Sequence, residues 1–158
     1  MAVTEIDEIN GLIGPGRRLL GLDVGKKTIG LALSDVTLTV ATPAETIRRG
    51  RFADDAGRIA ALCAEEGVGG LVLGLPVSMD GTEGPRCQSV RQFAADLLGF
   101  VDLPLAFWDE RLSTAAVERV LVREADMTCK RRSRVIDKMA AAYILQGALD
   151  AIARTPSP

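Results

Sequence analysis

The run Gly70-Leu71-Val72-Leu73-Gly74-Leu75 carries no polar side chain at either parity. Strand residues alternate between two faces, so such a strand has to be covered on both. That is the signature of a buried parallel strand in a sheet with helices on each side. The flanking segments fit this layout. Leu19–Val24 and Thr28–Ser34 are short apolar runs around the polar turn Gly25-Lys26-Lys27, which predicts an antiparallel hairpin. Leu38–Thr42 reads as a third strand stopped by Pro43, and Leu103–Trp108 as the last strand. Apolar residues at helical spacing predict a helix from Phe52 to Glu66 with Gly67 as its stop, and another opening at Pro85 and ending at Gly99. Two further helices are expected at Ser113–Glu124 and Ser133–Arg154. The expected fold is therefore α/β, with a mixed five-stranded sheet of three antiparallel and two parallel strands flanked by helices.

The chain's 158 residues suit one domain. It is expected over 18–154, with a loosely held, acidic and then glycine-rich arm over 1–17 and a frayed tail, Thr-Pro-Ser-Pro, over 155–158. There is no histidine, which removes histidine acid–base catalysis, Ser-His-Asp triads and histidine-ligated zinc. A balance of 19 basic against 21 acidic residues is unlike that of proteins that coat nucleic acid by charge alone. Cys63, Cys87 and Cys129 form no CxxC pair and read as small buried hydrophobes. No signal-peptide pattern and no apolar run long enough for a membrane span occurs, so the expected compartment is the cytoplasm, with no membrane partner.

The chemistry then rests on carboxylates in unusual places. Asp23 interrupts an apolar strand, where an unpaired carboxylate costs several kcal/mol of desolvation. Its neighbours Gly21 and Gly25 leave room for another group to approach the backbone. Asp109 and Glu110 follow the last strand, at the carboxyl end where open α/β sheets place ligands. Asp137, expected one turn into the last helix, shares a face with Ala140, Ala141, Ile144 and Ala148. A helix dipole also favours acids in a first turn, but it does not select the apolar face. Three such acids can converge around a central first strand, and they repel one another unless a cation lies between them. With only oxygen donors in the set, Mg²⁺ or Mn²⁺ fits better than zinc.

Four segments together resemble one family: Leu19–Asp35 with its L-G-L-D-V-G-K-K-T-I-G-L-A-L-S-D string, V-L-G-L-P-V-S-M-D-G-T-E-G at 72–84, D-E-R-L-S-T at 109–114, and I-D-K-M-A-A-A-Y-I-L-Q at 136–146. They are similar to the YqgF, or RuvX, family of bacterial RNase H-like, Holliday-junction-resolvase-like nucleases, over roughly residues 18–153. The resemblance implies an RNase H-like fold, two-metal phosphodiester hydrolysis, and work on the 5′ end of 16S rRNA precursor, possible substrates also including branched DNA. Its three acidic positions fall on Asp23, Glu110 and Asp137, as catalytic residues and metal ligands. Lys26, Lys27 and Arg111 flank the acids and are expected to hold phosphates, as is the basic run Lys130, Arg131, Arg132 and Arg134. The loop carrying Gly81, Thr82 and Glu83 is expected beside the site, with Glu83 either touching a metal-bound water or holding the loop. Thr28 stands where many relatives carry a basic residue. Arg48, Arg49 and Arg51 are read as a solvated cluster. Two competing functions share the fold: junction resolution on four-way DNA, and RNA binding or ribosome assembly without efficient cleavage. Actin- and hexokinase-like ATPases share the Asp-x-Gly hairpin but clamp their nucleotide between two such domains, where this length supplies one.

Overall fold

The computed structural model of the protein describes residues 3–112 and 129–154, with side chains described over 3–111 and 137–154. The strands are β1 (Val3–Thr4), β2 (Arg18–Val24), β3 (Thr28–Ser34), β4 (Ala41–Arg48), β5 (Val68–Leu75) and β6 (Leu105–Asp109). The helices are α1 (Ile6–Leu12), α2 (Phe52–Glu66), α3 (Pro85–Leu97) and α4 (Cys129–Arg154), with a 3₁₀ turn over Glu110–Leu112. They form one six-stranded sheet in the order β1-β6-β5-β2-β3-β4. β2, β3 and β4 are antiparallel, whereas β5 runs parallel to β2 and β6 to β5. All eight residues of β5 are buried, as a strand apolar at both parities requires. The helix expected over Ser113–Glu124 and the tail at 155–158 lie outside the described residues.

Three expectations are corrected. The sheet has six strands because Val3–Thr4 pairs in parallel with Leu105–Ala106. The segment read as a loose arm is therefore packed over residues 3–12: α1 follows β1 and drives Ile9, fully buried, into the core. Its signal was weak because the segment is too short to display helical periodicity. Residues 36–40 are a turn and not a strand. The Asp35 carboxylate accepts the Thr39 and Val40 backbone N–H groups at 2.7 and 3.1 Å, and Leu38 adopts φ 57°. The Thr37 hydroxyl, followed by those two bonds, holds the Asp35 carboxyl down to about 2. The strand begins only at Ala41 and runs through Pro43, which is tolerated because β4 is an edge strand and a register shift falls beside it.

Strand parity divides the core into two layers. Leu20, Leu22, Leu71 and Leu73 face α2 and α3, packing with Ile59, Cys63, Val90 and Phe93. Leu19, Ala32, Val72 and Ala106 face α4 and α1, packing with Ala141, Ile144, Leu145 and Ala148. Cys63 and Cys87 are buried free thiols, as expected, and burial pushes the Cys63 thiol up to about 11. No helix of the described residues is long and apolar enough to cross a membrane.

The second layer is unusually thin. A Cβ on Gly30 would overlap the backbone carbonyl of Asp137, one on Gly21 would lie 2.7 Å from the Leu145 Cβ, and one on Gly74 would lie 2.5 Å from the Ile144 Cδ1. The helix thus rests on bare backbone at three neighbouring strands. What approaches Gly21 is α4, while Gly25 closes the hairpin turn by donating to the Thr28 carbonyl at 2.9 Å. The sole tryptophan, Trp108, lies against Gly147 of the same helix, and so reports on its docking. Gly30→Ala is expected to push α4 off the sheet. It should cost about 1–3 kcal/mol, as overpacked cores do, and shift the Trp108 emission. A Tm and emission equal to wild type would show that the close approach is dispensable.

Candidate active site

Three elements deliver three acids to the α4 side of the sheet. Asp23 shares the parity of Leu19 and Gly21 near the end of β2, next to the interior strand pair β2–β5. Glu110 follows the alternation of Ala106 and Trp108 past the end of β6, with its Oε1 only 2.6 Å from where a Cβ on Gly74 would sit. Asp137 is placed by the contact of its own backbone with Gly30. α4 begins at Cys129, four residues earlier than expected, which puts Asp137 beyond two full turns. A helix dipole acts within the first turn, so it does not account for an acid here.

Asp23 and Glu110 share a side-chain hydrogen bond, and the Asp137 charge acts on Asp23. Two carboxyls can bond only when a proton lies between them, and burial makes that proton hard to remove. Burial, followed by the Asp137 charge, outweighs that bond and raises the Asp23 carboxyl above its ordinary range. Burial and then the Asp23 charge push Glu110 up to about 7. The Asp137 carboxylate accepts a 2.7 Å hydrogen bond from the Thr28 hydroxyl, across 109 residues of sequence. Among the described residues, no group of three acid or thiol side chains closes to metal-ligating distance. The geometry is a bonded pair with a third carboxylate held alongside.

Asp109 has a different task. Its carboxylate takes the Arg111 Nε at 2.9 Å and Nη2 at 2.6 Å, and these bonds hold its pKa below the usual range. Arg111, expected as a phosphate contact, is thus engaged at home, and its Nη1 lies 3.5 Å from the Ser78 and Met79 carbonyls. That ties the 78–84 loop to the end of β6. Gly81 turns the loop with φ 90°, and the Thr82 hydroxyl donates to Asp80 at 2.7 Å. Both Glu83 oxygens accept from Arg91 of α3, at 2.7 and 2.8 Å, so Glu83 holds the loop. Lys26 and Lys27 are exposed at the β2–β3 turn. Lys130, Arg131, Arg132 and Arg134 lie in the first turns of α4, and their side chains fall outside the described residues. Arg86, at the start of α3, was missed by sequence reasoning; its charge acts to lower both the Asp23 and Glu110 pKa values. No local motif marks it, because only the fold brings α3 beside β2.

The raised carboxyl pKa values have a defined sign. In the unfolded chain these groups ionise in the ordinary carboxyl range, so the cost of their charge is absent below it. It grows as pH rises and is fully present above about 7, the folded value for Glu110. Without divalent cations at pH 8, Asp23→Asn is therefore expected to be more stable than wild type by about 1–3 kcal/mol. The gain should shrink toward pH 5. Thermal unfolding at both values checks this, and an equal or lower Tm for the variant at pH 8 would contradict it.

A family model described as RuvX, Holliday junction resolvase, matches residues 17–151. A protein of Paramagnetospirillum magneticum named "Putative pre-16S rRNA nuclease" is 64% identical over 143 residues, covering 90% of this chain and 92% of the relative. One of the same name from Rhodospirillum rubrum is 57% identical, covering 98% of this chain and 96% of the relative. Among solved structures, the T. thermophilus RuvC complex with a Holliday junction substrate matches with a TM-score of 0.57 at 16% identity, covering 90% of this chain and 99% of that one. The fowlpox virus resolvase complex with junction DNA matches at a TM-score of 0.53 and 9% identity, covering 85% and 98%. At those identities the likeness carries the fold alone, the RNase H-like fold of resolvases. The full-length sequence matches carry more: this chain belongs to the RuvX family.

Proposed function

We propose that the protein hydrolyses phosphodiester bonds in the 5′ region of 16S rRNA precursor, using Asp23, Glu110 and Asp137 as its catalytic and metal-holding residues. The observation that carries this is the half-buried Asp23–Glu110 pair, with the Asp137 charge beside it. A half-buried cluster of like charges is unfavourable in the resting protein and would become favourable with a cation among them. The donor set is oxygen only, which fits Mg²⁺ or Mn²⁺. A divalent ion bound there supplies charge neutralisation at the scissile phosphate and lowers the pKa of water.

The chain's own residues do the rest. Glu110 and Asp23 would hold the ion with their carboxylates, releasing any proton held between them. Thr28, donating to Asp137, fixes the direction of the third carboxylate. The Asp109–Arg111 pair and the Glu83–Arg91 pair hold the 78–84 loop against the site's edge. Lys26, Lys27 and the Lys130–Arg134 run supply positive charge for phosphates around it. RNA is favoured over four-way DNA because relatives at 57% and 64% identity carry the pre-16S name. The junction reading rests on the family description.

The test is cleavage of a labelled 16S-precursor leader, free and in ribosomal particles, beside a four-way DNA junction, with Mg²⁺ or Mn²⁺. Wild type is expected to cut the RNA only with the metal, and Asp23→Asn to fall to background. Preferential cutting of the junction would replace the substrate, and no metal-dependent cutting of either would overturn the nuclease reading. Thr28→Val should fold normally and lose about 10–100-fold in activity, the range seen when a partner of a metal-holding side chain is removed. Undiminished turnover would remove Thr28 from the machinery.

A further inference from the structure

A groove of about 710 Å³ opens between the β2–β3 turn, the segment after β4, and α3. That volume lies in the range of sites that take small molecules and nucleotide-sized groups. Three cations line it, Lys26, Arg49 and Arg86, against one acid, Asp96, whose carboxylate accepts from the Gln92 amide at 2.9 Å. The two arginines are differently placed. Arg49 is pinned: its Nη1 donates to the Gly25 carbonyl at 2.7 Å and its guanidinium lies 5.3 Å above the Phe93 ring. That fixes its position while leaving other N–H donors of the fork aimed away from those two contacts. Arg86 is exposed, forms no ion pair with a described residue, and acts electrostatically on Asp23 and Glu110.

A stable protein gains little from gathering three cations with a single acid in one concavity. A polyanion passing through it gains a great deal. The apolar floor does not offer a stacking platform, because Phe93 is buried beneath Arg49 and Phe52 is packed edge-on against it. A strand lying here would therefore be met at its phosphates and not by base stacking, which is independent of sequence.

We propose that this groove is a phosphate-binding track for one strand of the substrate leading away from the carboxylates, with Arg86 contacting the phosphate nearest the acids and Arg49 one further out. The assignment rests on the nuclease reading for its direction but not for its chemistry. The strand is held on the α3 side of the hairpin, opposite in origin to the basic run at the start of α4.

The experiment measures binding of a short labelled oligoribonucleotide in EDTA as a function of salt, for wild type, Arg86→Gln, Arg49→Gln and Arg49→Lys, with cleavage measured separately in Mn²⁺. Each glutamine variant should weaken binding and reduce the salt slope by about 0.7, the value of one single-strand phosphate contact. Arg49→Lys should keep the slope. Circular dichroism verifies folding; should Arg49→Gln fail through loss of its Gly25 bond, Arg86→Gln carries the test, since it breaks no described ion pair. Slopes unchanged in a folded Arg86→Gln, with wild-type RNA binding and cleavage intact, would sink the track and leave the nuclease standing. A reduced slope with no cleavage by wild type would support the track and overturn the nuclease reading.

Discussion

Everything at this site depends on how closely α4 approaches the sheet. Side chains normally hold a helix off a sheet, and here three strands present no Cβ where the helix crosses them. Gly30 admits the backbone at Asp137, Gly21 the side of Leu145, and Gly74 both Ile144 and the Glu110 carboxyl. A spacer of one methyl group at any of these positions would move Asp137 relative to Asp23. The acids are brought together by absent atoms as much as by the elements that carry them.

That proximity is costly for the protein alone. Glu110 is pushed up to about 7 chiefly by burial, and Asp23 is raised by burial and then by the Asp137 charge. The fold tolerates the arrangement because both hydrophobic layers are otherwise complete, with β5 buried along its whole length. Local conflict of this sort, set in an otherwise consistent fold, is what functional sites look like. The contrast with Asp109 is instructive. One residue earlier and on the other parity, it is paired with Arg111 and kept ionised, and it braces a loop.

Much of this was legible in the sequence because periodicity and chemistry agreed. Phe52–Glu66 with its Gly67 stop is the observed helix, and Gly67 adopts φ 65° as such a stop requires. Asp23 stood out because an acid in an apolar strand demands an explanation. Other features were hidden for physical reasons. Leu38 and Val40 look like strand residues, but Asp35 captures the backbone N–H groups of Thr39 and Val40 that a strand would have used. Strand β1 is two residues long and exists only because β6 offers it an edge. The Thr28–Asp137 bond and the pairing of Glu83 with Arg91 join residues whose proximity is created by the tertiary fold. Arg49 looked like an ordinary solvated charge until the fold set it over Phe93.

Close packing of α4 is proposed to make the acid pair and Asp137 into one cation site. Anomalous diffraction from crystals soaked in Mn²⁺ tests this without reference to any substrate. The account predicts a manganese peak in contact with the Asp23 and Glu110 carboxylates, with Asp137 also ligating directly or through water, and its loss in Asp23→Asn crystals. A well-occupied peak elsewhere, or no peak at these carboxylates under saturating Mn²⁺ above pH 7, would contradict it.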